Sequence, residues 1–160
     1  MSHEDLVNEY LAGPDKLRAA VEGMSEQQLD ATPIPGKWST RQVICHIADF
    51  EAVYVDRMKR GLAEERPTIF AGEPPLFAAA LAYNIRVVEQ EIQMIALLRR
   101  HMATILRTLD ANQFHREVVH SVEGTMTVET LLQRITNHIP HHVCFIDEKR
   151  AAMFGNGDHS

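Results

Sequence analysis

Cysteine is nearly absent from this 160-residue chain: Cys45 and Cys144 are too few for a disulfide framework. Aromatic side chains are scarce at 6%, so a core must be built mainly from aliphatic residues. No apolar run approaches the ~20 residues that a membrane-crossing helix needs. The first residues lack the basic-then-apolar order of a signal peptide, so a cytoplasmic protein without membrane contact is expected. Positive charge is also in deficit. Sixteen basic residues against 22 acidic ones give a net charge of −6, which argues against a general nucleic-acid footprint. What is abundant is apolar material, 45% of the chain, which excludes a disordered or low-complexity polymer. The length suits one domain able to bury its own core.

Helical periodicity dominates. From about Glu4 to Met24, apolar residues such as Leu6, Tyr10, Leu17 and Val21 recur at three- and four-residue intervals. Gly13-Pro14 interrupts them, as a kink or as a boundary between two shorter helices. Ser25-Glu26-Gln27-Gln28 and Ser39-Thr40-Arg41-Gln42 both read as capping boxes. The second of these opens a helix expected to reach Arg60, with Gly61 as its C-cap. Residues 62–75 turn to proline, glycine and charge, which predicts an irregular excursion outside the main core. Phe77 to Leu109 is helical in pattern, with its first ten residues open to being a separate turn or short helix. Extended backbone is expected near Arg116–Val119, and Thr127 is placed to cap a last helix through Met153. The expected architecture is all-α: a four-helix bundle over residues 1–154 with a long irregular crossover, followed by a flexible tail, 155–160. An up-down-down-up connection is compatible with that crossover.

Three histidines fall where surface residues should not. At about 100° per residue, His46 projects into the apolar arc of the second helix, between Phe50 and Val53. His138 and His142 lie within the apolar face of the last helix, four residues apart and so on successive turns. Such a pair can place two imidazoles around one cation, and His46 can complete the set if both faces enter the same core. Hydrogen-bonded core histidines are the competing reading, although three inward imidazoles all need polar partners. No HExxH motif is present.

The segment Gly36-Lys37-Trp38-Ser39-Thr40-Arg41-Gln42, running on through His46 to Glu51, is followed much later by His138-Ile139-Pro140-His141-His142. Together these segments resemble the DinB-like/YfiT-like helical-bundle superfamily, and the resemblance extends from about Leu6 to Met153. It implies a four-helix fold with a divalent transition-metal site at His46, His138 and His142. Zinc is the default ion there and nickel the alternative. Homodimers are common among such proteins. Related groups transfer or remove thiol cofactors, hydrolyse amides or isomerise maleylpyruvate, so the resemblance leaves the substrate open. The expected function is a metal-dependent hydrolase or a thiol-cofactor transferase acting on a small molecule, with a low-molecular-weight thiol as a further cofactor in the second case. A noncatalytic metal-stabilised or ligand-sensing bundle is the alternative.

Supporting roles follow from position. Glu91 projects among apolar residues of the third segment, as a proton shuttle or as a partner for Arg99. Asp49, one turn beyond His46, either bonds a ligand histidine or is solvated. Trp38 and Tyr54 are candidate walls of a cofactor or substrate pocket, each with packing at the bundle end as its simpler role. Cys45 and Cys144 project away from the main apolar faces, and Pro140 predicts a kink between His138 and His142.

Overall fold

The computed structural model describes residues 2–155. Four long helices, α1 (His3–Val21), α3 (Thr40–Ala63), α5 (Val88–Leu106) and α7 (Val128–Phe154), form the bundle. Short helices α2 (Glu26–Asp30), α4 (Pro74–Ala80) and α6 (Ala111–Phe114) lie in the connections. The capping boxes at Ser25 and Ser39 form as the pattern predicts, and Thr127 accepts from the Thr130 amide to open α7. Ser2 with Asp5 and Asp110 with Gln113 add two further boxes. Among the described residues no helix is long and apolar enough to cross a membrane. The expected tail, 155–160, lies outside the described residues except for Gly155.

α1 packs on α5 and α7, and α3 packs on the same two, leaving α1 diagonal to α3. Contacts at the helix ends set the directions. Glu4 pairs with Arg107 at 3.3 Å while Arg18 pairs with Glu89 at 3.0 Å, so α1 and α5 are antiparallel. His3 meets Glu129 and Arg150 donates to the Ala20 carbonyl, so α1 and α7 run together. His46 faces His142 while Gly61 faces Val128, which sets α3 against α7. The order is therefore up-down-down-up. Because α3 and α5 are parallel, the chain must return the full length of the bundle between them.

That return carries β1 (Thr68–Ile69), which pairs in parallel with β2 (Glu117–His120); β2 pairs antiparallel with β3 (Gly124–Thr127). This small sheet is an addition to the expected helical fold. Ile69, 3% exposed, enters the core while Phe70 turns outward, so residues 62–75 are not wholly outside it. Gly61 is not a C-cap, since α3 continues to Ala63. A Cβ there would stand 2.8 Å from Val118 and 2.9 Å from Val128, so glycine permits the hairpin and α7 to approach.

Two apolar clusters fill the bundle. One holds Tyr10, Met58, Met102 and Leu131; the other holds Leu17, Ile44, Ile92 and Ile139. A fully buried ion pair separates them. Arg99 binds the Glu51 carboxylate at 2.8 and 2.9 Å, and the Tyr10 hydroxyl donates to the other Glu51 oxygen at 2.6 Å. Arg99 also donates to the Tyr10 carbonyl at 2.6 Å and the Ile135 carbonyl at 2.9 Å. Gly13-Pro14 belongs to this layer rather than to a helix boundary, because α1 is continuous. Pro14 has no amide to offer the Tyr10 carbonyl, which frees that oxygen for Arg99. Gly13 clears the path: a Cβ there would lie 2.2 Å from the Arg99 Nη1.

Candidate metal centre

The antiparallel packing of α3 and α7 brings the early turns of one helix beside the middle of the other. His46 is thereby set against His138 and His142, and each pair of Nε2 atoms is 3.1 Å apart. The three nitrogens form an equilateral triangle. A point about 1.8 Å from each lies at its centre, and a displacement of about 1 Å along the axis gives the 2.0–2.1 Å of an imidazole–zinc bond.

Burial lowers the three pKa values, to about 4 for His46, about 2 for His138 and about 3 for His142. Asp49 partly opposes the shift at His46, whereas the neighbouring histidines reinforce it at His138 and His142. All three rings are therefore neutral at pH 7. Their Nδ1 atoms are buried without a hydrogen-bond partner. A neutral imidazole has one N–H and one lone pair, so three converging nitrogens cannot satisfy one another as a closed hydrogen-bonded set. A cation at the centre accepts all three lone pairs, so the donor set fits a divalent metal ion. Apolar rings enclose the triangle: Phe50 lies 4.7 Å and Trp38 5.5 Å from the His46 ring, and Phe145 lies 5.8 Å from His142.

The supporting residues divide. Trp38 reaches the site and, with His142, Val43 and Phe145, lines a cavity of about 260 Å³. Tyr54 is carried two turns past His46 and packs against the other cluster, with Arg57 4.9 Å over its ring. Glu91 does not meet Arg99, which is taken by Glu51; both Glu91 oxygens instead bind Arg86, at 3.0 and 2.5 Å. The same guanidinium grips both oxygens of Asp49, at 3.0 and 2.9 Å. Asp49 therefore neither bonds a histidine nor stands free in solvent. Cys45, expected to project away from the main apolar face, is covered by the connection before α5. It is fully buried and donates weakly to the Tyr83 carbonyl, and burial pushes its thiol up to about 11. Pro140 is accommodated inside an unbroken α7.

Two residues of this region went unread in the sequence. Arg86 sits in the loop before α5, where no periodicity marks it. Lys149 lines the cavity seven residues after His142, and that spacing alone puts it on the ligands' face of α7.

The DinB superfamily profile matches residues 9–146. YfiT of Bacillus subtilis, named a candidate metal-dependent hydrolase, is 31% identical over 141 residues, covering 88% of this chain and 79% of YfiT. A similarly named protein of Geobacillus thermodenitrificans is 30% identical over 145 residues, 88% and 82% of the two chains. The solved structure of B. subtilis YfiT, described as having an unusual four-helix bundle topology, matches with a TM-score of 0.89 and 28% identity, over 96% of this chain and 90% of YfiT. A mycothiol-dependent maleylpyruvate isomerase shares the fold at a TM-score of 0.71 and 11% identity, over 90% of this chain and 60% of the isomerase.

Proposed function

The chain belongs to the DinB superfamily, and from that premise we propose that it is a metal-dependent hydrolase of a small molecule, acting at His46, His138 and His142. The observation that carries this reading is the triangle of neutral Nε2 atoms beside a cavity of about 260 Å³, a volume that suits a small molecule. A divalent cation there supplies Lewis acidity toward a carbonyl oxygen and lowers the pKa of a water molecule. Three neutral imidazoles suit zinc first and nickel as the alternative. The protein's own part is to hold those imidazoles unprotonated and converged. Phe50, Trp38 and Phe145 put apolar rings against His46 and His142, which strengthens electrostatic interactions there. We further place the protein in the cytoplasm as a homodimer, for which sedimentation of the purified chain gives the oligomeric state.

The test pairs elemental analysis with a screen of zinc- and nickel-loaded protein against amides, esters and thiol-plus-electrophile pairs. Wild type should carry one ion per chain. His46→Ala and His142→Ala should bind metal at least about 100-fold more weakly and lose turnover. Equal turnover by correctly folded His46→Ala protein would sink the assignment. Turnover that requires a thiol and an electrophile together would move it to thiol-cofactor transfer. Metal binding with no turnover of any substrate would leave a metal-stabilised bundle.

A further inference from the structure

Lys149 is a buried cation without a counter-ion. Its residue is 3% exposed, and among the described residues its ammonium forms no ion pair. One of its three N–H donors reaches the Phe145 carbonyl of its own helix, at 3.1 Å. Side chains on a helix lean toward its N-terminus, so this ammonium is drawn back along α7 toward His142. Both residues line the same cavity, with Lys37, Trp38, Phe145 and Glu148 among the other walls. Burial lowers the Lys149 pKa, Glu148 partly opposes that shift, and Lys37 adds to it. The cavity's charged walls, two lysines and one glutamate, sum to one positive charge in a chain whose net charge is −6. A buried charge of this kind is costly until an ion of opposite sign meets it.

We propose that Lys149 anchors a carboxylate on the substrate, so that the molecule acted on is a small monoanion whose apolar part lies against Trp38 and Phe145. The inference rests on the hydrolase reading and names its substrate class. A divalent cation on His142 and its partners would add to the positive charge of the walls, so the site favours an anion, and the apolar faces of Trp38 and Phe145 favour an organic carboxylate over inorganic phosphate. The two free N–H donors of Lys149 match the two oxygens of a carboxylate.

Trp38 is the chain's single tryptophan and lines this cavity, so its fluorescence reports binding there without any turnover. Zinc-loaded protein is titrated with phenylacetate, with its uncharged counterpart phenylacetamide, and with inorganic phosphate. Wild type should bind phenylacetate about tenfold or more tightly than phenylacetamide, and more tightly than phosphate. Lys149→Met should abolish that preference at unchanged zinc content, whereas Lys149→Arg should retain it. Should the methionine variant lose its helical circular dichroism, Lys149→Gln is read in its place. A preference that survives in the folded variant, an absent preference in wild type, or tighter binding of phosphate each overturns the proposal. Failure of the hydrolase reading shows separately, as binding that depends on Lys149 without turnover of any amide or ester.

Discussion

His46, His138 and His142 are held neutral by burial, and this gives the metal-free protein a defined response to acid. Their folded pKa values, about 4, 2 and 3, lie below the ordinary histidine value of 6.5. Between those values the unfolded chain binds more protons than the folded one, so stability rises with pH through that window. Chelator-treated protein should therefore lose stability as pH falls from about 6.5 toward 4, read as a falling urea midpoint. His138→Gln should flatten the slope; an unchanged slope would show that other groups carry it. At Gly13 the constraint is steric. An alanine Cβ would meet the Arg99 guanidinium at 2.2 Å, so Gly13→Ala should cost about 3 kcal/mol or more in urea unfolding, by breaking a buried ionic network. At this scale the sequence was partly legible. The histidines showed because helical spacing exposes an imidazole on an apolar face, whereas the alternative pairing of Glu91 with Arg99 failed because its partner Arg86 lies in an aperiodic loop.

Among elements, the N-caps at Ser25 and Ser39 were readable because a capping box is settled within four residues. Of the small sheet only β2 was, as the extended run expected near Arg116–Val119. β1 has two residues and exists only by pairing with β2, about 50 positions later, so no local pattern announces it. The boundary offered as one reading of Gly13-Pro14 and the C-cap expected at Gly61 failed for a shared reason: both glycines serve a neighbouring element rather than their own helix. The Glu51–Arg99 pair joins α1, α3, α5 and α7, and it predicts a non-additive result. Arg99→Met alone strands a buried carboxylate and should cost about 3–5 kcal/mol. Adding Glu51→Leu should recover most of that loss, measured by a double-mutant cycle in chemical denaturation. Additive losses would mean that the pair is not coupled.

For the molecule as a whole, a metal that binds only the folded state adds stability by mass action. At a free zinc concentration 100 times the dissociation constant this amounts to about 2.7 kcal/mol. Zinc should accordingly raise the thermal midpoint of wild type and leave that of His142→Ala unchanged; equal shifts in both would place the ion elsewhere. The up-down-down-up order was compatible with the sequence through its long crossover. The directions themselves became visible only through contacts at the helix ends, which pair residues remote in the chain.

The separation of His46 from His138 and His142, 92 and 96 positions along the chain, has a consequence for biosynthesis. During translation His46 leaves the ribosome long before its partners are made. No metal-binding triangle can form until the last helix has been released and docked, so metal capture belongs to the end of folding. A metal chaperone or free ion would meet a nearly finished bundle, and a truncation before His138 would leave a chain with one ligand and no grip on the ion.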